Sequence, residues 1–317
     1  MIENEKPMRL AAGEALVICG KNNPAIVVLD ADTSSSTQSR LFAEAFPDRF
    51  FNVGVSEANM VSVAAGLACT GHVPFVEGFA FLLALRAGDQ VRSQIAYGNL
   101  NVKLVGGYCG LSDFADGASH QSIMDVAVMR ALPNMTVLCC ADLTEAYQMI
   151  EAASRHVGPV YIRVSRADCR RLFDQDTHPF EIGKAIHLKH GNDVTLIATG
   201  TMVGTAMEAA ERLAASSIGI DLLEVHTIKP LDTEAVVRSA AKTGRIVTCE
   251  EHTIVGGLFS AVSETVAQHH PVPVTPIGIR DRFGETGTYA ELLAECGLTC
   301  EHIVRTVHSL MRGSARS

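Results

Sequence analysis

Four polar strings interrupt an otherwise apolar first half: DADTSSST at 30–37, FNVGVSEANM at 51–60, EGFAF at 77–81 and GGYCGLSDFADGASHQS at 106–122. Glu57 opens a stretch, NMVSVAAGLA, with almost no polar face, so its carboxyl is expected at a buried helix N-terminus, where it can hold or move a proton. The ordinary reading of the same position is a capping glutamate, stabilised by free backbone N–H groups and the helix dipole. His120 falls beside Gln121 before the helical IMDVAVMRAL, at or near a second helix N-terminus that can receive an anion. A single histidine is more often structural. Here Asp116 lies four residues earlier, and Gly106, Gly107, Gly110 and Gly117 permit close backbone approach to a ligand. Phe79 and Phe81, taken alone, read as core aromatics.

The elements that must position these residues alternate in period. AIVVLDAD, VPFVEGFA, NVKLVGG, NMTVLCCAD and PVYIRVS are short β-branched runs, and the segments between them follow helical spacing. Such alternation predicts a parallel sheet covered by helices on both faces. Ligands of open parallel sheets sit beyond the carboxyl ends of the strands, where the four polar strings fall. From Arg166 to about Ile186 charged residues, Pro179 and Gly183 break the period, after which VTLIATG, IDLLEVH and RIVTCEE restart it. The expectation is an α/β protein of two doubly wound domains: a mainly parallel-sheet domain over 1–170, a linker over 171–190 and a smaller α/β domain over 191–317.

Composition narrows the function classes. The chain has 317 residues, of which 47% are hydrophobic and 19% charged, and 26 basic residues against 35 acidic ones give a net charge of -9. That balance argues against a nucleic-acid partner, whose phosphates would be neutralised by basic side chains. The N-terminus has no apolar core of signal-peptide length, and no run is long enough to span a bilayer, so a cytoplasmic, membrane-free protein is expected. Nine cysteines without CxxC spacing read as reduced structural thiols, with Cys139 and Cys140 ending a buried strand; no metal ligand set is assigned.

GVSEANMVSVAAGLA at 54–68, GFAFLLALRAGDQVR at 78–92 and DGASHQSIMDVAVMRALPNMTV at 116–137 together resemble the pyrimidine-binding domain of transketolases. VYIRVSR, LLEVHTIKPLD, TCEEHTIVGGLFSAV and DRFGETGTYAELLAECGL resemble the C-terminal domain of the same family, so the likeness spans essentially the whole chain. The resemblance implies transfer of a two-carbon ketol unit from a ketose phosphate to an aldose, with thiamine diphosphate as cofactor. Glu57 would hydrogen-bond the aminopyrimidine N1′ and promote its imino tautomer, with His120 as a second catalytic group. Phe79 would stack on the aminopyrimidine ring, beside Asp32 and Leu82. Leu82 stands where a second aromatic is common. Asp116, His120, Arg166, Ser36 and Arg9 match positions that contact sugar hydroxyls or the terminal phosphate. Arg166 ranks above Arg9, which lies in a chain end without an evident anchor, and Arg163 reads as structural. Tyr108 departs from the family, which usually carries a histidine there, and Ala118 replaces a common proline.

The family's GDG motif, which holds the diphosphate through Mg²⁺, does not occur in this sequence. The resemblance therefore implies an N-terminal-half transketolase subunit as partner, in an α2β2 assembly with self-association of this chain and Mg²⁺ bound mainly by the partner. Two other readings stay open: an activity of the 1-deoxyxylulose-5-phosphate synthase or 2-oxoacid dehydrogenase β-subunit kind, and a noncatalytic regulatory subunit.

Overall fold

The structure is a computed structural model and describes residues 5–314. Its first sheet has seven strands in the order Thr227–Lys229, Thr136–Cys139, Val160–Arg163, Lys103–Gly107, Val73–Phe79, Ile26–Asp30, Phe50–Asn52. Six are parallel, and Thr227–Lys229 joins the edge antiparallel. The four central strands are buried along nearly their whole length, as β-branched runs covered by helices on both faces must be. The second sheet has five strands, ordered Val274–Ile279, Ile246–Thr253, Val194–Ala198, Ile220–Glu224, Ile186–Lys189, with only the last antiparallel. A mixed α/β fold with two sheets is thus what the alternating pattern predicts.

Several strands were not foreseen, among them Phe50–Asn52 and Val274–Ile279 at sheet edges, and two others, both short, bear on the domain limits. Ile186–Lys189 lies inside the predicted linker yet forms an edge of the second sheet. Thr227–Lys229, from the second half of the chain, extends the first sheet. Both are three or four residues long and partly exposed, too short for a period to register. The chain end that carries Arg9 is anchored, because Glu5–Pro7 pairs with Asp168–Arg170 and the helix Met8–Asn22 packs on the helix Leu143–Arg155. No helix among the described residues is long and apolar enough to cross a membrane.

A buried cation ties the two sheets together. Arg163, at the end of its strand, donates from Nε to Asp125 Oδ2 at 2.9 Å and from Nη2 to the carbonyls of Ser122 (3.1 Å) and Glu251 (2.8 Å). Tyr161 donates to the same Asp125 oxygen at 2.7 Å. Removing one partner of such a pair leaves a charge in the interior with nothing to offset its desolvation. Asp125→Ala is therefore expected to cost about 3–5 kcal/mol in urea unfolding; a loss below about 1 kcal/mol would contradict this account of the seam.

A second buried carboxylate makes a pH prediction. Burial alone would raise the Asp221 pKa, but hydrogen bonds from Lys242 (2.8 Å), Ser239, His187 (2.9 Å) and the Gly191 N–H outweigh it and hold the group at about 2. Its folded pKa thus lies below the unfolded value of about 3.9, so its contribution to stability is complete above that value and is lost as pH falls toward 2. Asp221→Asn should flatten the acid limb of a stability-versus-pH curve in this window; an unchanged limb would show that Asp221 contributes nothing to it.

Candidate functional site

Glu57 is the first residue of the helix Glu57–Cys69 and is 2% exposed. Ser56, at the N-cap, makes no side-chain capping hydrogen bond, and Glu57 bonds not to its own helix but to Arg86, whose Nη1 donates to Oε2 at 3.0 Å. Arg86 ends the wide turn Leu82–Arg86 and its side chain is 54% exposed. Around this pair the surface is apolar: Val55 is 72% exposed, Leu85 51% and Val63 37%. Asn59, Val63 and Gly66, spaced four and three apart, mark one exposed face of the Glu57 helix.

The strand ends beside Glu57 carry two more buried carboxyls. Asp30 accepts from Thr33 N (2.6 Å), Thr33 Oγ1 (3.1 Å) and Ser39 Oγ (2.9 Å), which pins the loop of Asp32 and Ser36 to the sheet. Burial pushes its pKa up despite those bonds. Glu77 is the cross-strand neighbour of Asp30, and burial followed by the charge of Asp30 pushes its carboxyl well above the ordinary range. A neutral acid beneath the loop avoids placing two buried negative charges side by side. Asp32 is exposed at φ +65° and accepts from Asn52 Nδ2 at 3.3 Å.

An aromatic and cationic group forms across the ends of the central strands. Phe79 meets Tyr108 at 4.6 Å between ring centroids and His120 at 6.3 Å, and Phe81 meets His120 at 5.2 Å. Arg9 donates from Nη1 to the Tyr108 hydroxyl (2.6 Å) and to the Ser36 carbonyl (2.8 Å). Arg166 lies over the rings of Tyr108 (5.0 Å) and Phe114 (5.3 Å) and pairs with Asp113 at 2.7 Å. Phe79, Tyr108, His120, Arg9, Arg166 and the backbone of Ser36 therefore gather into one group. Leu82 is buried and Asp116 is exposed. Glu57 bonds to none of this group.

Asp113 went unnoticed in the sequence, where only its place three residues before Asp116 marks it. Burial, then the charge of Asp116, pushes its carboxyl up, and Arg166 only partly offsets this. His120 also lies differently from expectation: it follows the turn Gly117–Ser119, and the next helix begins at Asp125. Between them Ser122 is tied to the preceding strand end, since Gly110 N donates to Ser122 O at 2.8 Å and Ser122 bridges Cys109 and Gly110. His120 therefore does not cap a helix. Its Nδ1 faces Ser119 Oγ at 2.9 Å.

The second half of the chain fixes the loop that carries Asp116 and His120. Glu251 accepts from Leu111 N (2.6 Å), Thr201 Oγ1 (2.5 Å) and Tyr289 Oη (2.6 Å). Gln121 donates to Glu285 O at 2.8 Å, and Thr253 N to Ile123 O at 2.8 Å. Gly110 (φ +61°) and Gly117 (φ +70°) lie so close to Glu251 and Thr286 that a Cβ would collide. A cleft of about 590 Å³ elsewhere in the seam, lined in part by Cys169, Arg170, Thr201, Met207 and Tyr289, includes none of Glu57, Phe79, Asp116 and His120.

Tyr108 itself sits at φ +61°, a left-handed backbone that costs energy for any residue with a Cβ. Tyr108→Phe keeps the ring contacts but takes away the oxygen that accepts from Arg9. A charge-assisted bond of this kind contributes about 1.5–3 kcal/mol, and the variant should lose that much in chemical unfolding. A stability equal to that of the unaltered chain would mean the Arg9 bond is idle.

Comparison with known proteins now bears on this geometry. Residues 4–171 match the family model "Transketolase, pyrimidine binding domain" and residues 183–303 match "Transketolase, C-terminal domain". The 6-deoxy-6-sulfo-D-fructose transketolase subunit SqwH of Clostridium sp. (strain MSTE9) is 44% identical, over 90% of this chain and 88% of its own length. A putative transketolase C-terminal section from Methanocaldococcus jannaschii is 42% identical, over 97% of each. Among solved structures, one described as "Split gene transketolase, inactive beta4 tetramer" superposes with a TM-score of 0.88 at 44% identity, covering 96% of this chain and 97% of that one. The chain belongs to the transketolase family and carries that family's pyrimidine-binding and C-terminal domains.

Proposed function

We propose that the chain is one subunit of a two-subunit transketolase that moves a two-carbon ketol unit from a ketose with an anionic terminal group to an aldose. The observation that carries this reading is the buried Glu57 carboxyl at the start of a helix that packs on the strand ending in Phe79. Bound thiamine diphosphate would supply the electron sink that lets the ketose carbon–carbon bond break. Glu57 shares a proton with the aminopyrimidine N1′ and so sets the basicity of that ring. Phe79 presents an aromatic face to it, with Leu82 behind as apolar packing and Asp32 at the rim. Asp116 and His120 contact donor hydroxyls, with His120 placed to give or take a proton there. Arg9, Arg166, Ser36 and Tyr108 hold the anionic end.

The two arginines suit a phosphate or a sulfonate equally, since either offers three oxygens to planar N–H donors. Tyr108 keeps a hydroxyl where a histidine is common, and it serves there as a hydrogen-bonding group. The diphosphate and Mg²⁺ are assigned to a partner, an N-terminal-half transketolase subunit, in an α2β2 assembly. The exposed Val55, Val63 and Leu85 around Glu57 support a second chain seated there. Domain limits near 1–170 and 191–317, with the edge strand Ile186–Lys189 of the intervening segment counted with the second domain, and a cytoplasmic location belong to the same proposal.

The test is a co-purified complex with thiamine diphosphate and Mg²⁺, assayed on ketose phosphates and sulfonates. Ketol transfer is expected, and Glu57→Gln in an intact complex should lower kcat by at least about 10²–10⁴. Near-normal turnover of that variant would remove Glu57 from the chemistry. Carbon dioxide released from pyruvate would instead favour a synthase-type or dehydrogenase-type activity, and no turnover on any sugar would favour a noncatalytic subunit.

A further inference from the structure

Away from the site, in the seam between the two sheets, three potential ligands meet from three parts of the chain. Glu145 lies in the first turn of the helix Leu143–Arg155, His178 in the segment between the two sheets, and Glu224 at the end of the strand Ile220–Glu224. Both glutamates are fully buried and the His178 side chain is 4% exposed. One ligand atom from each lies within 4.8 Å of the others. His178 Nε2 is 3.2 Å from Glu145 Oε1 and 4.0 Å from Glu224 Oε2, and its ring is held flat against Phe173 at 3.9 Å.

The charge of this cluster is not balanced by protein. Glu145 Oε2 accepts from Ala141 N at 2.8 Å, but neither oxygen of Glu224 has a hydrogen-bond partner. Asp142, buried close by, is satisfied by the N–H groups of Glu145, Leu172 and Phe173. Among the described residues no Lys or Arg bonds to Glu145 or Glu224, in contrast to Asp221 with Lys242 and Asp125 with Arg163. Next to the cluster, buried His226 has Nδ1 on Thr227 Oγ1 at 2.9 Å and an unpartnered Nε2. A fully buried carboxylate with no donor must either keep its proton, as burial and the charge of Glu145 favour for Glu224, or face a cation.

We propose that Glu145, His178 and Glu224 form a structural site for a divalent transition-metal cation, zinc being the best match. An imidazole nitrogen and two carboxylate oxygens, all from buried side chains, are donors that zinc accepts and fill three of its usual four positions. Magnesium, which needs about six oxygens and retains water, does not fit. The ion would staple the segment between the sheets to both of them. The ligands come from residues that contact neither Glu57 nor the aromatic group, so the site stands whether or not the proposed activity does.

The experiment uses the purified full chain. After dialysis without chelator it should hold one zinc per chain by mass spectrometry. Zinc added to chelator-stripped protein should raise the Tm by about 5 °C or more, and competition with a chromophoric chelator gives its affinity directly. Glu224→Gln and His178→Gln should lose the metal and the response. His190→Ala, which alters a separate His187–His190–Asp221 group, should keep both. Stripped protein whose Tm ignores zinc and does not compete for it overturns the proposal and assigns the cluster to a shared proton. Loss of zinc in His190→Ala, with retention in Glu224→Gln, overturns it as well.

Discussion

The Arg163 guanidinium is the interaction on which the arrangement depends. A cation with 5% of its side chain exposed persists only if every donor finds an acceptor, and its acceptors come from three places: Asp125, the Ser122 carbonyl and the Glu251 carbonyl. Asp125 must therefore start its helix beneath Arg163, with the bridge at Ser122 and a bend at Ile123 and Met124 leading into it. The turn carrying Asp116 and His120 is hung between this segment and the end of its own strand. Glu251 sits on the other side, its backbone serving Arg163 and its carboxylate serving Leu111, Thr201 and Tyr289. One buried charge thus fixes the loop of Asp116 and His120 and the position of the second sheet together.

The second half of the chain accordingly does more than add mass. Gly110 and Gly117 allow its residues to approach the loop where a side chain would collide, and Gln121 crosses to the Glu285 carbonyl. The loop is long, and long loops without secondary structure of their own sample many conformations unless something over-determines them. Tyr108, held at a positive φ by contacts to Phe79, Arg9 and Arg166, shows the same logic at one residue. Strain of this sort survives only when the surroundings leave no alternative.

The alternation of buried strands and helices was legible because both sheets are mainly parallel and their strands apolar throughout, and the buried start of the Glu57 helix was legible from its lack of a polar face. Arg163, read as structural, is the ion at the centre of the seam. Short or long-range features were not legible. Thr227–Lys229 is too brief to show a period, and it pairs with a strand about ninety residues earlier. His120 was expected at a helix start because ten apolar-rich residues follow, whereas the bridge at Ser122 postpones the helix. Asp113 becomes conspicuous only once Arg166 is seen beside it. Glu145, His178 and Glu224 are dozens of residues apart, so no spacing rule could have joined them.

The Glu57 pair with Arg86 bears on why half of a site can be stable by itself. A carboxyl prepared for a ligand is a liability until the ligand arrives, because burial without a partner is costly. Arg86 meets that need with a long side chain, more than half exposed, which can swing away when an incoming partner takes its place, since Glu57 left alone would be an unpaired buried charge. The carboxyl itself cannot leave: it is 2% exposed and anchored at the first turn of a helix whose other face is packed. The rigid member of the pair is the one that the proposed chemistry needs in place. The movable member lies at the rim, beside the apolar side chains that a second chain would cover. Exchange of an intramolecular partner for an incoming one then requires a rotamer change rather than refolding, which is what the proposed site, shared between two polypeptides, would demand.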